Sequence, residues 1–177
     1  GRPLSVLKIL GICLVSATVA ALIGGGAARL AFGRDFLSGL EFWFVTEFVN
    51  TLIILPVMLT LPLSASDWQT WHWSLANYSH RKAAPLLILL CTIAAGIWIG
   101  GPGAIAFVVP ALLFCALTYS IFPVALLTML TCGWLLIAIS AGIIQIHVQG
   151  DPLATTSSLR LGIALIALAP LTAASID

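Results

Sequence analysis

Residues 43–56 read Trp43-Phe44-Val45-Thr46-Glu47-Phe48-Val49-Asn50-Thr51-Leu52-Ile53-Ile54-Leu55-Pro56, an apolar run with a carboxyl and a carboxamide set into it. Followed outward, the apolar character holds over residues 37–63. At ~1.5 Å rise per residue, a helix of that length crosses a hydrocarbon core of ~30 Å. The whole chain has the same character: 61% hydrophobic and 7% charged, with a mean hydropathy of +1.16. That leaves too little polar surface to cover a soluble globule of 177 residues. The expected fold class is therefore all-α, a polytopic transmembrane helix bundle whose solvent is the lipid bilayer.

Upstream of this stretch, residues 7–32 form another apolar run, expected to loosen at Gly24, Gly25 and Gly26 and to end at the polar break Gly33, Arg34, Asp35. Downstream, spans are expected at 85–99, 104–119, 122–144 and 158–176, which makes six with 7–32 and 37–63. The punctuation is chemical. Gly100-Gly101-Pro102-Gly103 cannot continue a helix, Pro123 falls in a first turn where a missing donor costs little, and residues 145–157 are polar. Residues 64–84 form the one sizeable polar segment, with Trp68, Trp71, Trp73 and Tyr78 among Arg81 and Lys82, a composition suited to the headgroup level. With six crossings both ends share a side. Arg2, Lys8, Arg81 and Lys82 on that side outnumber Arg34 and Arg160 on the other, so both termini are expected in the cytoplasm. The chain opens Gly1-Arg2-Pro3 and reads as part of something longer.

Several function classes find no support in the sequence. Seven basic and six acidic residues are scattered singly, without the basic patch that nucleic acid requires, so no nucleic-acid partner is expected. Cys13, Cys91, Cys115 and Cys132 lack clustered spacing and read as small apolar-environment residues. His72, His80 and His147 are not spaced as metal ligands, so no metal and no cofactor are expected. No nucleophile elbow, phosphate loop or dinucleotide fingerprint occurs, and the chain is read as non-enzymatic, although a parent protein could carry an enzymatic domain.

Ionisable groups inside a span cost ~2.5–3.5 kcal/mol each on insertion scales, which makes them functional candidates. Arg29 and Glu41 lie about one turn from the same end of neighbouring spans and are expected to form a structural ion pair. Glu47 lies nine residues past Ser38, ~14 Å deep, and no basic residue in the sequence obviously matches that depth. Trp43, Thr46, Glu47 and Asn50, at i, i+3, i+4 and i+7, share one face that is expected to point into the bundle. Two readings stay open: a pocket that takes a ligand or a proton and couples to a signal, or a hydrogen-bond network that only fixes packing. Pro56 frees the carbonyl of Leu52 and marks an expected kink or hinge.

The stretch 43–56 also resembles the W-x-x-[SA]-[DE]-x-x-G-x-L-x-x-x-P signature of the first type of membrane-associated sensor (MASE) domain. Trp43, Glu47, Leu52 and Pro56 match, while Asn50 stands where that family usually has glycine. Residues 102–119 with 122–140, and Asp151-Pro152-Leu153-Ala154, are similar to later parts of the pattern. The resemblance implies a bacterial inner-membrane sensory and anchoring domain, usually of eight spans. Residues 1–177 would then be the C-terminal part of one such domain. It would regulate a cytoplasmic output module, a diguanylate cyclase of cyclic di-GMP signalling or a histidine kinase, in cis or as a partner. It also implies a homodimer, because such output enzymes act as dimers. The competing classes are a small transporter, which predicts internal repeats, and a passive scaffold that recruits partners through the segment at 64–84.

Overall fold

Long aliphatic runs without interior breakers satisfy their backbone polar groups locally, and in a bilayer only helices or closed barrels can do so. A computed structural model describes residues 3–62, 80–144 and 152–174. In chain order they form α1 (Pro3–Phe32), α2 (Phe36–Thr60), α3 (His80–Ile99), a 3-10 helix (Pro102–Phe107), α4 (Val108–Thr118), α5 (Ile121–Ser140) and α6 (Pro152–Ala174). The described residues contain no strand, in line with the all-α expectation.

Among the described residues three helices are long and apolar enough to cross a membrane, fewer than the six spans expected: Leu7–Phe32 within α1, Phe36–Thr60 and Ile121–Ser140. Ala83–Ile99, Gly103–Thr118 and Ser158–Ala173 are shorter apolar stretches of 10–17 residues. Arg81 and Lys82 occupy the first turn of α3, and Gly100 and Gly101 end it with φ of 65° and 76°. A tighter 3-10 segment takes up the chain ahead of α4, and the first turns of α6 carry Thr155, Thr156, Ser157 and Arg160.

Gly33 ends α1 in the left-handed region (φ 62°), its N–H donating to the carbonyl of Arg29 at 3.1 Å. Asp35 then opens α2 as its N-cap, so two long helices meet across a three-residue turn, Gly33-Arg34-Asp35. They pack along their lengths through small residues: Ala17, Ala21, Gly25 and Ala28 on α1 are buried. A Cβ added at Gly39 would stand 3.3 Å from Gly25 Cα, and one at Gly25 would stand 3.1 Å from the backbone nitrogen of Leu40. This is the small-residue packing by which membrane helices bring their backbones together. The loosening expected at Gly24, Gly25 and Gly26 is corrected accordingly. α1 runs unbroken through them, and Gly24 and Gly25 serve close approach.

The opposite side of α2 enters the core through Val45, Val49, Leu52, Ile53 and Val57, packed with α5 and α6. α4 packs against α3, α5 and α6, and Leu112, Cys115, Leu135 and Ile163 lie at its centre with almost no exposure. All four cysteines are free, with Cys91 alone exposed. α2 continues through the buried Pro56 to Thr60, whose hydroxyl donates to the Pro56 carbonyl at 2.7 Å.

The α1–α2 contact makes a specific demand at Gly24, where a Cβ would fall 2.4 Å from Trp43 Cγ. Gly24→Ala is expected to destabilise the purified protein by about 1–3 kcal/mol, the usual cost of overpacking. Adding Trp43→Ala should recover part of that loss. A thermal-unfolding double-mutant cycle in detergent measures both, and simple additivity of the two changes would refute the contact.

Candidate functional site

The stretch 43–50 starts ~10 Å along α2, and one turn of that helix touches both neighbours. Trp43 lays its indole on Gly24 of α1 and meets the Phe42 ring edge to face, with centroids 6.2 Å apart at 87°. On the side toward α6, the Arg160 guanidinium carbon stands 4.9 Å from the centre of the Phe42 ring. Arg160 Nη1 also donates to Thr46 Oγ1, and that hydroxyl in turn donates to the carbonyl of Phe42 at 2.6 Å. A guanidinium over an aromatic face with a hydroxyl acceptor is a way to hold a cation where water is scarce. The sequence reading placed Arg160 at a membrane edge because its span began at 158. α6 in fact begins at Pro152, which puts Arg160 about two turns inside it. This is a site residue that sequence reasoning missed, and the readable signal was Pro152 as a helix-opening residue.

The four residues expected to share a face do not converge on one point. Trp43 faces α1 and Thr46 faces α6. Glu47 is half-buried, with Oε1 accepting from the Thr51 hydroxyl at 3.2 Å on the same helix. Asn50 is exposed, which corrects the expectation that the whole stripe points inward.

At the turn end of α1 and α2 an open groove of about 840 Å³ is lined by Gly24, Ala28, Phe32, Arg34, Phe42 and Trp43, among others. Asp35 at its rim accepts at Oδ2 from the Ser38 N–H at 3.0 Å and from the Ser38 hydroxyl at 3.2 Å. The backbone N–H of Ser38, then its hydroxyl, and further the charge of Arg29 hold the Asp35 carboxyl below the ordinary carboxylate range. Arg29 and Glu41 are both exposed, and no ion pair joins them among the described residues; the carboxylate on which Arg29 acts is Asp35. Trp68, Trp71, Trp73, His72, His147 and most of the segment at 64–84 fall outside the described residues.

Comparison with known proteins adds a relationship. The chain is 31% identical over 172 residues, 96% of its own length, to "Probable diguanylate cyclase DgcF" of Escherichia coli O157:H7. The chain is similar to a probable diguanylate cyclase. A second relative, "Probable diguanylate cyclase DgcF" of Escherichia coli strain K12, is 32% identical over 131 residues, 73% of the chain. These matches cover 34% and 39% of the two proteins, so the chain spans little more than a third of the curated relatives it matches. No protein-family model matches the chain, and no solved structure does. The reading of the chain as non-enzymatic, which rested on missing motifs, is overturned by this similarity: the chain is related to a protein named as an enzyme.

Two outcomes are expected here. The folded-state pKa of Asp35 lies below its unfolded value, so its capping contribution is fully present above the ordinary carboxylate range and is lost as pH falls through the lowered value. In acid titrations of thermal stability, Asp35→Ala should remove that loss, and an unchanged acid profile would contradict the cap. For the α2–α6 contact, a cycle of Thr46→Val and Arg160→Leu should return a coupling of about 0.6–1.7 kcal/mol, the range for polar pairs between membrane helices. A coupling of zero would mean that the two residues do not support each other.

Proposed function

We propose that the chain is a membrane-embedded sensory and anchoring domain of a cyclic di-GMP signalling protein in the bacterial inner membrane. The observation that carries this reading is similarity to a diguanylate cyclase along 96% of the chain. It is supported by three helices of membrane length and by the resemblance of residues 43–56 to the membrane-associated sensor signature. The output module of the proposal is a diguanylate cyclase that acts on the cytoplasmic side.

The turn of α2 at 42–47 is the coupling element of this proposal. It holds α1 through Trp43 and Gly24 and α6 through Arg160, so a shift of α2 moves both neighbours together. A stimulus can drive such a shift only by favouring one arrangement over the other, since equal affinity for both moves nothing. Trp43, Thr46, Glu47 and Asn50 are the coupling residues in this reading, and Pro56 the hinge below them.

The test uses the full-length protein in its native membrane with a cyclic di-GMP biosensor as readout. Glu47→Gln, Thr46→Val and Trp43→Ala are each expected to change output severalfold while abundance and membrane insertion stay at wild-type level. Wild-type output from all three variants would overturn the coupling role. Absence of any cyclic di-GMP change on overexpression of the wild type would overturn the signalling assignment.

A further inference from the structure

The open groove of about 840 Å³ between α1 and α2 differs in character from one end to the other. Its floor is small: Gly24 and Ala28 on α1 and Gly39 on α2, all buried. Its walls are aromatic, with Phe32 77% and Phe42 38% exposed. Phe32 lies eight residues from Gly24, and Trp43 eight from Asp35, so the groove runs ~12 Å from the turn along both helices. One leaflet of a ~30 Å hydrocarbon core is ~15 Å deep. The recess therefore matches the depth of one lipid leaflet, and beside it α1 presents bulky exposed side chains such as Leu22, Ile23 and Leu30.

The charged part of the lining is at the turn end. Arg34 and Asp35 both line the groove, whereas Arg29 and Glu41, the other ionisable residues near this end, do not. Ser38 fixes Asp35, its N–H and its hydroxyl donating to Oδ2 at 3.0 and 3.2 Å. A carboxylate has about four acceptor positions, so these two bonds leave it able to take a further donor. Arg34 makes no side-chain hydrogen bond or ion pair among the described residues, with Asp35 or any other group. Its charge and its fork of N–H donors are uncommitted. A cation and an anion that are adjacent but unpaired, set at the mouth of an apolar recess, complement an amphiphile of one design. It has an apolar chain, a phosphate for the guanidinium and, beside that phosphate, a primary ammonium for the carboxylate. A choline head carries the same two charges but has no N–H to donate, and a glycerol head has no cation for Asp35.

We propose that this groove seats one ethanolamine-type phospholipid, with its phosphate on Arg34, its ammonium on Asp35 and one acyl chain laid along Gly24, Ala28 and Gly39. The site rests on the reading of α1 and α2 as membrane-crossing helices and is independent of the signalling assignment. Phe42 both lines the groove and carries the Arg160 guanidinium, so the acyl chain abuts the side chain through which α2 meets α6.

The full-length protein is reconstituted into nanodiscs holding equal parts of ethanolamine, choline and glycerol phospholipids with identical acyl chains, and is released for native mass spectrometry. Wild type is expected to retain one ethanolamine lipid per chain, about tenfold over the other two heads. Asp35→Asn, which keeps an N-capping side chain, should erase the preference for ethanolamine over choline, and Arg34→Gln should lower retention of all three. Ala27→Phe, at an exposed position in the lining, should fill the groove and leave no lipid bound. Equal retention of the three heads by wild type, retention of none, or a selectivity that Asp35→Asn and Ala27→Phe leave intact overturns the proposal. If a variant fails to accumulate, the wild-type comparison among the three heads decides. Cyclic di-GMP output is recorded in cells making the wild type. Selective retention without output sinks the signalling reading and leaves the lipid site standing, and output without selective retention does the reverse. A protein that does not enter the nanodisc sinks the membrane reading and the site with it.

Discussion

A polar group on a long apolar helix is costly wherever no partner is at hand, and a bilayer core would offer it none outside the protein. For the backbone this enforces helices. For side chains it dictates where they sit: threonine hydroxyls fold back onto carbonyls of their own helix, as Thr18, Thr46, Thr60 and Thr118 do. Arg160 is the group that cannot be satisfied this way. Its guanidinium offers N–H donors and no acceptor, and it takes a hydroxyl and an aromatic face on another helix. That requirement ties α6 to α2, and α2 is the element against which α1, α5 and α6 all pack.

The helical class, the turn at Gly33 and Asp35, and the special character of residues 43–56 were legible from the sequence, since each depends on local composition and backbone chemistry. Span count was not. Hydropathy registers apolar character, but it does not set the length of the helix that carries it, and among the described residues three helices are long and apolar enough to cross a membrane. The expected pairing of Arg29 with Glu41 came from matching depth along two helices. Depth is one coordinate and the angle around each axis is another, and Arg29 and Glu41 are both exposed, with no ion pair between them among the described residues.

The same distinction explains the polar stripe. Spacing of i, i+3, i+4 and i+7 establishes that Trp43, Thr46, Glu47 and Asn50 share a side of α2, but not which neighbours that side meets. α1 takes the edge with Trp43, α6 takes the edge with Thr46, and Asn50 is left facing outward. Similarity to a diguanylate cyclase corrected the non-enzymatic reading where residues alone had pointed the other way.

The contact between Gly24 and Trp43 also constrains how the sequence can drift over generations. The indole occupies the space that any side chain at position 24 would need. A glycine there accepts a smaller residue at 43, whereas a side chain at 24 forces the Trp43 indole to shift. Change at this pair therefore has a permitted order: position 43 shrinks first, and only then can position 24 grow. The two positions are thus one steric unit, although they lie 19 positions apart along the chain.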